Sequence, residues 1–445
     1  MTTGGDVLLT PVRGKARIEV LDILRGIAIL GIFTMNLPFM AGPTELMLRD
    51  LRQLGWEPAD RWAWAMIGIF WEGTQRGLLE FLFGGMLMVL AAKAMRPDGP
   101  VAVADLYIRR SLWLLLFGLV DIFLLLWPGD ILHIYALAAL FLFPFRLLRP
   151  RLLIPLGLVF ATVMAVGSTT QYVGRTQLMD QVATARQHQA RRQPVTGEDR
   201  KALAEWQKKL DRFKIDKATR EKAGVEEKAR SGSYIGYAAW LWGAWLMLAG
   251  KGMVYTGVVE AFSAMLIGIA LWKLGILQGQ RSTRFYGLLA LAAYGFGLTA
   301  RAVGVMEITT FQPIPKTIWI TAEYARLAVS LGHVALINLL VRFRISHAIL
   351  KPFVAAGQVA FSLYFLEQII GINILFSPAA LGLRGTFGWA ALWAWSTAIA
   401  LILLLVANIW TRYFISGPME WCWRSLSYWK RQPFRRRREE EGAPA

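Results

Sequence analysis

Residues 21–40 read LDILRGIAILGIFTMNLPFM, an apolar run long enough to cross a hydrocarbon core of about 30 Å as a helix. Arg25 and Asn36 stand inside it. Eleven residues at 100° each return almost to the starting face, so both project from one side of the helix, about 16 Å apart along its axis. An arginine at membrane depth costs roughly 2.5–3.5 kcal/mol on insertion scales, and it is tolerated where the polar face looks into a protein-lined, wetted space. The opening helix therefore predicts a membrane domain with a polar passage along one side.

Composition places the rest of the chain in the same class. Of its 445 residues 56% are hydrophobic, with 19 Trp and a mean hydropathy of +0.43, as in an all-α polytopic membrane protein. Cys422 is the single cysteine, which excludes a disulfide framework and a thiolate metal cage. His133, His188, His333 and His347 have no metal-ligand spacing, so no metal site is expected. A signal peptide is not evident, because the first apolar run is long and no small-residue cleavage site follows it cleanly. The net charge of +19 raises nucleic acid as a partner. It is set aside because no soluble basic domain with a recognition motif exists.

Ten spans are read near 20–41, 62–92, 111–127, 131–145, 152–170, 254–277, 285–304, 320–341, 353–376 and 388–411. The third and fourth form a hairpin around Trp127-Pro128-Gly129-Asp130. With the N-terminus inside, the inner segments carry 23 Lys/Arg and the short outer loops 5, which favours both termini in the cytoplasm of a bacterial inner membrane. The basic run 435–438 then meets anionic lipid headgroups. The expected organisation is a tail at 1–18, spans one to five over 19–170, an extracytoplasmic helical insertion over 171–253, spans six to ten over 254–412, and a basic tail over 413–445. Within the insertion, Glu198 to Arg230 reads as amphipathic helix, and YIGYAAWLWGAWLMLAG at 234–250 as a helix lying in the interface, with spanning as the alternative.

On this topology Asn36, Glu72, Gln75, Arg76, Asp121, Asp130, His133, Arg301, Glu323, Arg326, Glu367 and Gln368 gather in the outer half. Intramembrane ionisable groups usually pair or line a wet path, so they are expected to converge on one cavity. Plainer readings stand beside that one. Glu72 and Arg76 have i,i+4 spacing for an intrahelical pair, and Glu323 with Arg326 suits an interfacial pair. Asp130 suits an N-cap, and it shares a face with His133, an acid–base candidate. Asp121 and Arg301 have no local partner and could pair with each other. At the inner ends, Arg25, Arg109 and Arg110 suit either lipid phosphate or the phosphates of a cytosolic nucleotide-bearing substrate. The glycines of Phe83-Gly84-Gly85 lack the spacing of a phosphate loop and read as close helix packing.

Several stretches resemble the YeiB-like family of bacterial inner-membrane proteins: LDILRGIAILGIFTMN at 21–36, FLFGG at 81–85, WPGDILHIYAL at 127–137, MLIGIALWKLGILQGQRSTRFY at 265–286, GQVAFSLYFLEQ at 357–368 and GPMEWCWRSLSYWKRQP at 417–433. In its first span that family is similar to transmembrane acyltransferases. One branch of them follows an Arg with a His, and the branch of the lysosomal heparan-glucosaminide acetyltransferase has Asn in that place, as Arg25 and Asn36 do here. The resemblance implies acyl transfer from cytosolic acyl-CoA, acetyl-CoA being the simplest, to an acceptor on the far side. The 16 Å derived above is comparable to a pantetheine arm. Two departures leave the base open. The lysosomal enzyme uses a histidine shortly after its first span, and none precedes His133 here; YeiB-like chains often carry a histidine where Asp121 stands.

The expected function is thus acyl transfer to an extracytoplasmic small-molecule or glycan hydroxyl or amine. Arg25, Arg109 and Arg110 would hold the co-substrate and Asn36 the thioester carbonyl. Asp121, Asp130 or His133 would deprotonate the acceptor, with Glu72, Arg301, Glu367 and Gln368 lining its site. A transporter or lipid flippase, and a non-catalytic scaffold, are the alternatives. The expected partners are the lipid bilayer and the acceptor, and a homodimer is compatible with the chain.

Overall fold

The computed structural model describes residues 18–92 and 101–436, and every element in it is helical. The chain runs through α1 (Glu19–Ala41), α2 (Thr44–Arg49), α3 (Pro58–Met66), α4 (Thr74–Ala91), α5 (Val101–Phe123), α6 (Leu132–Leu142) and α7 (Pro150–Ala190). It continues through α8 (Gly197–Asp211), α9 (Lys217–Ser231), α10 (Tyr234–Gly250), α11 (Met253–Lys273), α12 (Thr283–Ile308) and α13 (Ile318–Leu340). It closes with α14 (Arg344–Leu350), α15 (Pro352–Gln358), α16 (Ala360–Gln368), α17 (Trp389–Tyr413) and α18 (Pro418–Ser427). The extreme N-terminal tail, the inner loop 93–100, and Arg437 and Arg438 of the basic run lie outside the described residues.

Among the described residues six helices, α1, α7, α11, α12, α13 and α17, are long and apolar enough to cross a membrane, which makes this a multi-pass, all-α membrane protein. The expected span 353–376 is a helix pair bent by 77°, α14–α15 against α16 and a π-helical turn at Ile369–Leu375. The expected span 62–92 is likewise interrupted: α3 passes into a π-helical turn at Ile67–Trp71, and Gly73, with φ 69°, restarts the chain as α4. The hairpin helices α5 and α6 are shorter or more polar than the six, and α6 has 11 residues.

Helix α1 is central, with Ile23, Leu24, Ala28, Phe33 and Leu37 fully buried. It reaches α15 through two glycines. A Cβ on Gly26 would stand 2.2 Å from the Phe353 carbonyl oxygen, and one on Gly357 1.9 Å from that of Asp22. Apolar helices surrounded by lipid gain nothing from hiding from water, so backbone-to-backbone packing of this kind supplies their cohesion. The same device joins α4 to α11, where a Cβ on Gly84 would fall 2.1 Å from the Met265 carbonyl oxygen. That is the close packing read from Phe83-Gly84-Gly85.

The fifth span does not stop near 170. Its 41 residues run on as one helix to Ala190, about 60 Å in all. The apolar side chains Leu178 and Val182 on the far end of α7 form a small core with Ala202 and Trp206 of α8. Glu198–Arg230 is two helices rather than one. Thr196 and Asp199 form a capping box for α8, and Asp216 starts α9 by accepting from the Thr219 amide at 2.8 Å. Helix α9 folds back on the membrane domain: Glu226 accepts from the Thr44 amide at 3.0 Å and from Arg384 Nη2 at 2.6 Å.

Candidate functional site

The chemistry concentrates at the end of the α5–α6 hairpin. After Phe123 the chain turns back, with Leu126 at φ 60° and the Trp127 amide donating to the Asp121 carbonyl at 3.1 Å. Asp130 then caps α6: its Oδ2 accepts from the His133 amide at 2.8 Å. The same oxygen lies 2.8 Å from His133 Nδ1, and Oδ1 accepts from the Tyr364 hydroxyl at 3.0 Å. Tyr364 in turn accepts from the Ile131 amide at 3.2 Å. His133 is buried, and its Nε2 has no partner. A carboxylate on Nδ1 selects the tautomer with the proton there and leaves the lone pair on Nε2. Asp121, fully buried, lies beside Asp130 and Tyr364 with neither oxygen in a well-formed hydrogen bond. Gly118 permits the assembly, since a Cβ there would stand 2.5 Å from the His133 nitrogen and 2.6 Å from Asp130 Oδ2.

Helix α10 covers this group. Tyr237, Ala238 and Leu241 bury against Leu126, and the Trp245 ring meets His133 and Phe123 edge-on at 5.8 and 5.4 Å between centroids. Trp242 Nε1 donates to the Phe123 carbonyl at 3.1 Å, and the Tyr234 hydroxyl donates to that of Leu124. Those two carbonyls belong to the last residue of α5 and the one after it, where no further helical turn exists to use them. The contacts of α10 with the hairpin thus fall at one end of it, the arrangement of a helix laid across the tip.

A second polar group is an ion network between α4, α11 and α13. Arg326 contacts Glu80 at 2.6 Å, Glu323 at 2.7 Å and Glu260 at 2.9 Å, while Arg76 pairs with Glu260 and lies 3.7 Å from Glu80. Glu323 and Arg326 are therefore not an interfacial pair, and Arg76 is taken up by α11 rather than by Glu72. Tyr135 connects the two groups: it lies on α6 two residues beyond His133, and its hydroxyl donates to the Arg76 carbonyl at 3.1 Å.

Arg301 does not pair with Asp121. It donates to the carbonyls of Gly68 at 2.9 Å and Glu72 at 2.5 Å, which the π-helical turn leaves without helical partners. Glu72 itself is exposed at that break. Glu367 and Gln368 are fully buried on α16, one turn past Tyr364, and their side-chain polar atoms have no partner. The expected single cavity is instead a set of separate groups around α4, α6 and α16.

On α1 the stripe is filled rather than open. Ile29 and Ile32 fall between Arg25 and half-buried Asn36 on the same face, and both are buried. Arg25 Nη1 donates to Asp22 at 2.8 Å and to the Gly357 carbonyl at 3.3 Å. Arg109 pairs with Asp105 at 2.7 Å, and Arg110 stacks 4.1 Å over the Trp423 ring of α18. These three arginines are each held by separate neighbours and do not form one phosphate clamp. A hollow of about 410 Å³ lies elsewhere, on α7 along Val166, Thr169, Thr170, Val173, Gly174 and Gln177.

Tyr364, Trp245 and Glu260 were not singled out by sequence. Glu260 carried a usable signal, an acid seven residues into the apolar run that opens at Met253. Tyr364 carried a weaker one, its i,i+4 spacing to Gln368. Trp245 carried none, as tryptophan is common in an interfacial helix.

Residues 271–430 match a family described as protein of unknown function (DUF418). The chain is 27% identical to the uncharacterized protein YxaH of Bacillus subtilis (strain 168), over 96% of this chain and 98% of that one. It is 26% identical to the uncharacterized protein YeiB of Escherichia coli (strain K12), over 92% and 95% of the two chains. An uncharacterized 39.9 kDa protein from the amylase 3' region of Bacillus acidopullulyticus is 29% identical over 35% of this chain and 43% of its own. No solved structure matches. The resemblance to YeiB-like proteins thus extends over nearly the whole length.

Proposed function

We propose that this YeiB-like membrane protein is an acyltransferase of the bacterial inner membrane, moving an acyl group from a cytosolic acyl-CoA to a hydroxyl or amine at the extracytoplasmic face. The observation that carries the reading is the Asp130–His133 dyad: a buried imidazole, oriented through Nδ1 by a carboxylate that Tyr364 also holds, with Nε2 free. That is the arrangement of a general base, which orients the ring, fixes its tautomer and stabilises the imidazolium once a proton arrives. His133 Nε2 takes the acceptor's proton as the new bond to the acyl carbon forms, and Asn36 is the α1 side chain assigned to the acyl carbonyl. The arginines form no ready clamp, so the reading rests on the base and not on a donor site.

The test uses purified protein. Acetyl-CoA raises the melting temperature of the wild type. His133→Gln and Asp130→Asn retain that shift but release CoA thiol about 10²–10⁴-fold more slowly. Absence of any acetyl-CoA-dependent shift in the wild type removes the proposal.

The ion network favours a second reading, ion-coupled transport, since buried Glu80 and Arg326 with partly buried Glu260, Glu323 and Arg76 between α4, α11 and α13 suit a relay. A transporter loads vesicles under a proton gradient without acetyl-CoA.

A further inference from the structure

The cover over the dyad comes from the segment between α7 and α11, far from it in sequence. Trp245 on α10 is buried, and so is its indole nitrogen, which has no hydrogen-bond partner. The ring 5.8 Å away belongs to His133, whose Nε2 is also buried and unpartnered. Buried polar nitrogens are normally satisfied, so two unsatisfied ones on touching rings mark a place that a polar group completes. One is a donor without acceptor capacity and the other, in this tautomer, an acceptor. The group that complements both at once is a hydroxyl, whose O–H points at His133 Nε2 while its lone pair receives the indole N–H.

We propose that Trp245 is a substrate-contacting residue: with His133 it binds the acceptor hydroxyl, so that the insertion supplies one wall of the site. The inference rests on the acyl-transfer reading for what the hydroxyl then does. Its proton passes to His133 Nε2, its oxygen bonds to the acyl carbon, the carbon–sulfur bond of the thioester breaks, and the thiolate leaves with the electron pair. Access requires α10 to lift, and its ends allow that. Gly232 precedes it, and the turn after it ends at Gly252, with φ 91° and open space around it. Two hydrogen bonds to carbonyls, the small Leu126 cluster and the Trp245 ring on Phe123 hold it to the hairpin.

The experiment separates the wall from the reaction. Full-length protein is treated with diethyl pyrocarbonate, and carbethoxylation of His133 is followed by mass spectrometry, with the more exposed His188 and His347 as internal references. Trp245→Ala unmasks His133, about tenfold faster than wild type, whereas Trp245→Phe, which keeps the ring packing on Phe123, stays near wild type. Equal rates in wild type and Trp245→Ala overturn the wall. In acetyl transfer from acetyl-CoA to glycerol, Trp245→Phe raises the KM for glycerol about tenfold with little change in kcat, the loss of one hydrogen bond. An unchanged KM overturns the contact. Unmasking without acetyl transfer by any variant refutes the acyl-transfer reading and leaves Trp245 as the wall over His133.

Discussion

Asp130 shows how a residue can be read correctly for one purpose and still hold a second. Its position after Pro128-Gly129 makes it an N-cap, and its i,i+3 spacing makes it a partner for His133; one carboxylate oxygen does both. Such local relations are legible because helix geometry fixes them. Tyr364 and Trp245 arrive from helices more than a hundred residues away; the i,i+4 spacing of Tyr364 to Gln368 is a weak sign of the first, and no periodicity announces the second. Arg301 is the opposite case. Its charge was visible, but its partners are backbone carbonyls exposed by a π-helical turn that composition does not signal. Glu260 gives the sharpest test at this scale. It faces Arg76 and Arg326 together, so Glu260→Ala leaves two guanidinium groups short of a counter-charge inside the membrane domain. Breaking one side of a buried pair costs about 3–5 kcal/mol where no other partner remains. Arg326 keeps Glu80 and Glu323, and Arg76 is partly exposed, so the variant should melt below wild type in detergent with a smaller loss than that. Identical melting curves would show that water reaches this network.

At the scale of elements, the chain announces its helices more clearly than their breaks. Gly26, Gly84 and Gly357 sit at backbone contacts, and for Gly84 the sequence already spoke of packing. The interruption at Ile67–Trp71 and the 77° bend before Ala360 were read as continuous spans, because hydrophobicity runs through both. The extension of α7 to Ala190 was hidden for the converse reason: polar composition there masked an unbroken helix that leans on α8. That contact has a titratable latch. Asp199 accepts from the Thr196 amide at 2.8 Å and lies 2.9 Å from His188 Nδ1; the His188 hydrogen bond is the largest influence holding its carboxyl below the ordinary range. A depressed folded value contributes stability above the unfolded value of about 3.9, and that contribution disappears as pH falls through the folded value. Pepsin should therefore cut the 186–203 region of Asp199→Asn faster than wild type at pH near 5. The two should converge once the pH falls below the depressed folded value of Asp199. A constant ratio across that range would detach the latch from Asp199.

Across the whole molecule, the insertion is a working part of the membrane domain and not an appendage. Helix α9 is bound to the segments beside α1 and α17 through Glu226 and Arg384, and α10 closes the hairpin that carries the dyad. Helix α5 has 23 residues, but only its last part lies beyond α18. From Arg110, stacked on the Trp423 ring of α18, the helix rises thirteen residue steps to Phe123, about 20 Å, less than a hydrocarbon core of about 30 Å. If α18 lies at the cytoplasmic surface, the dyad sits below the opposite surface and needs a cover, which a helix lying across the tip provides. On the orientation expected from the count of basic residues, α18 and the C-terminus lie inside and the α7–α8 tip outside, and the proposed acceptor site opens away from the cytoplasm. The single native cysteine makes this measurable. In a Cys422→Ser background, Gly197→Cys, where an added side chain meets nothing within 4 Å, should react with a membrane-impermeant maleimide in intact cells. Lys430→Cys, on the exposed stretch after α18, should react after permeabilisation and not before. The reverse pattern would place the dyad's cover in the cytoplasm. A CoA thioester and its acceptor would then meet on one side, against the transfer across the membrane proposed above.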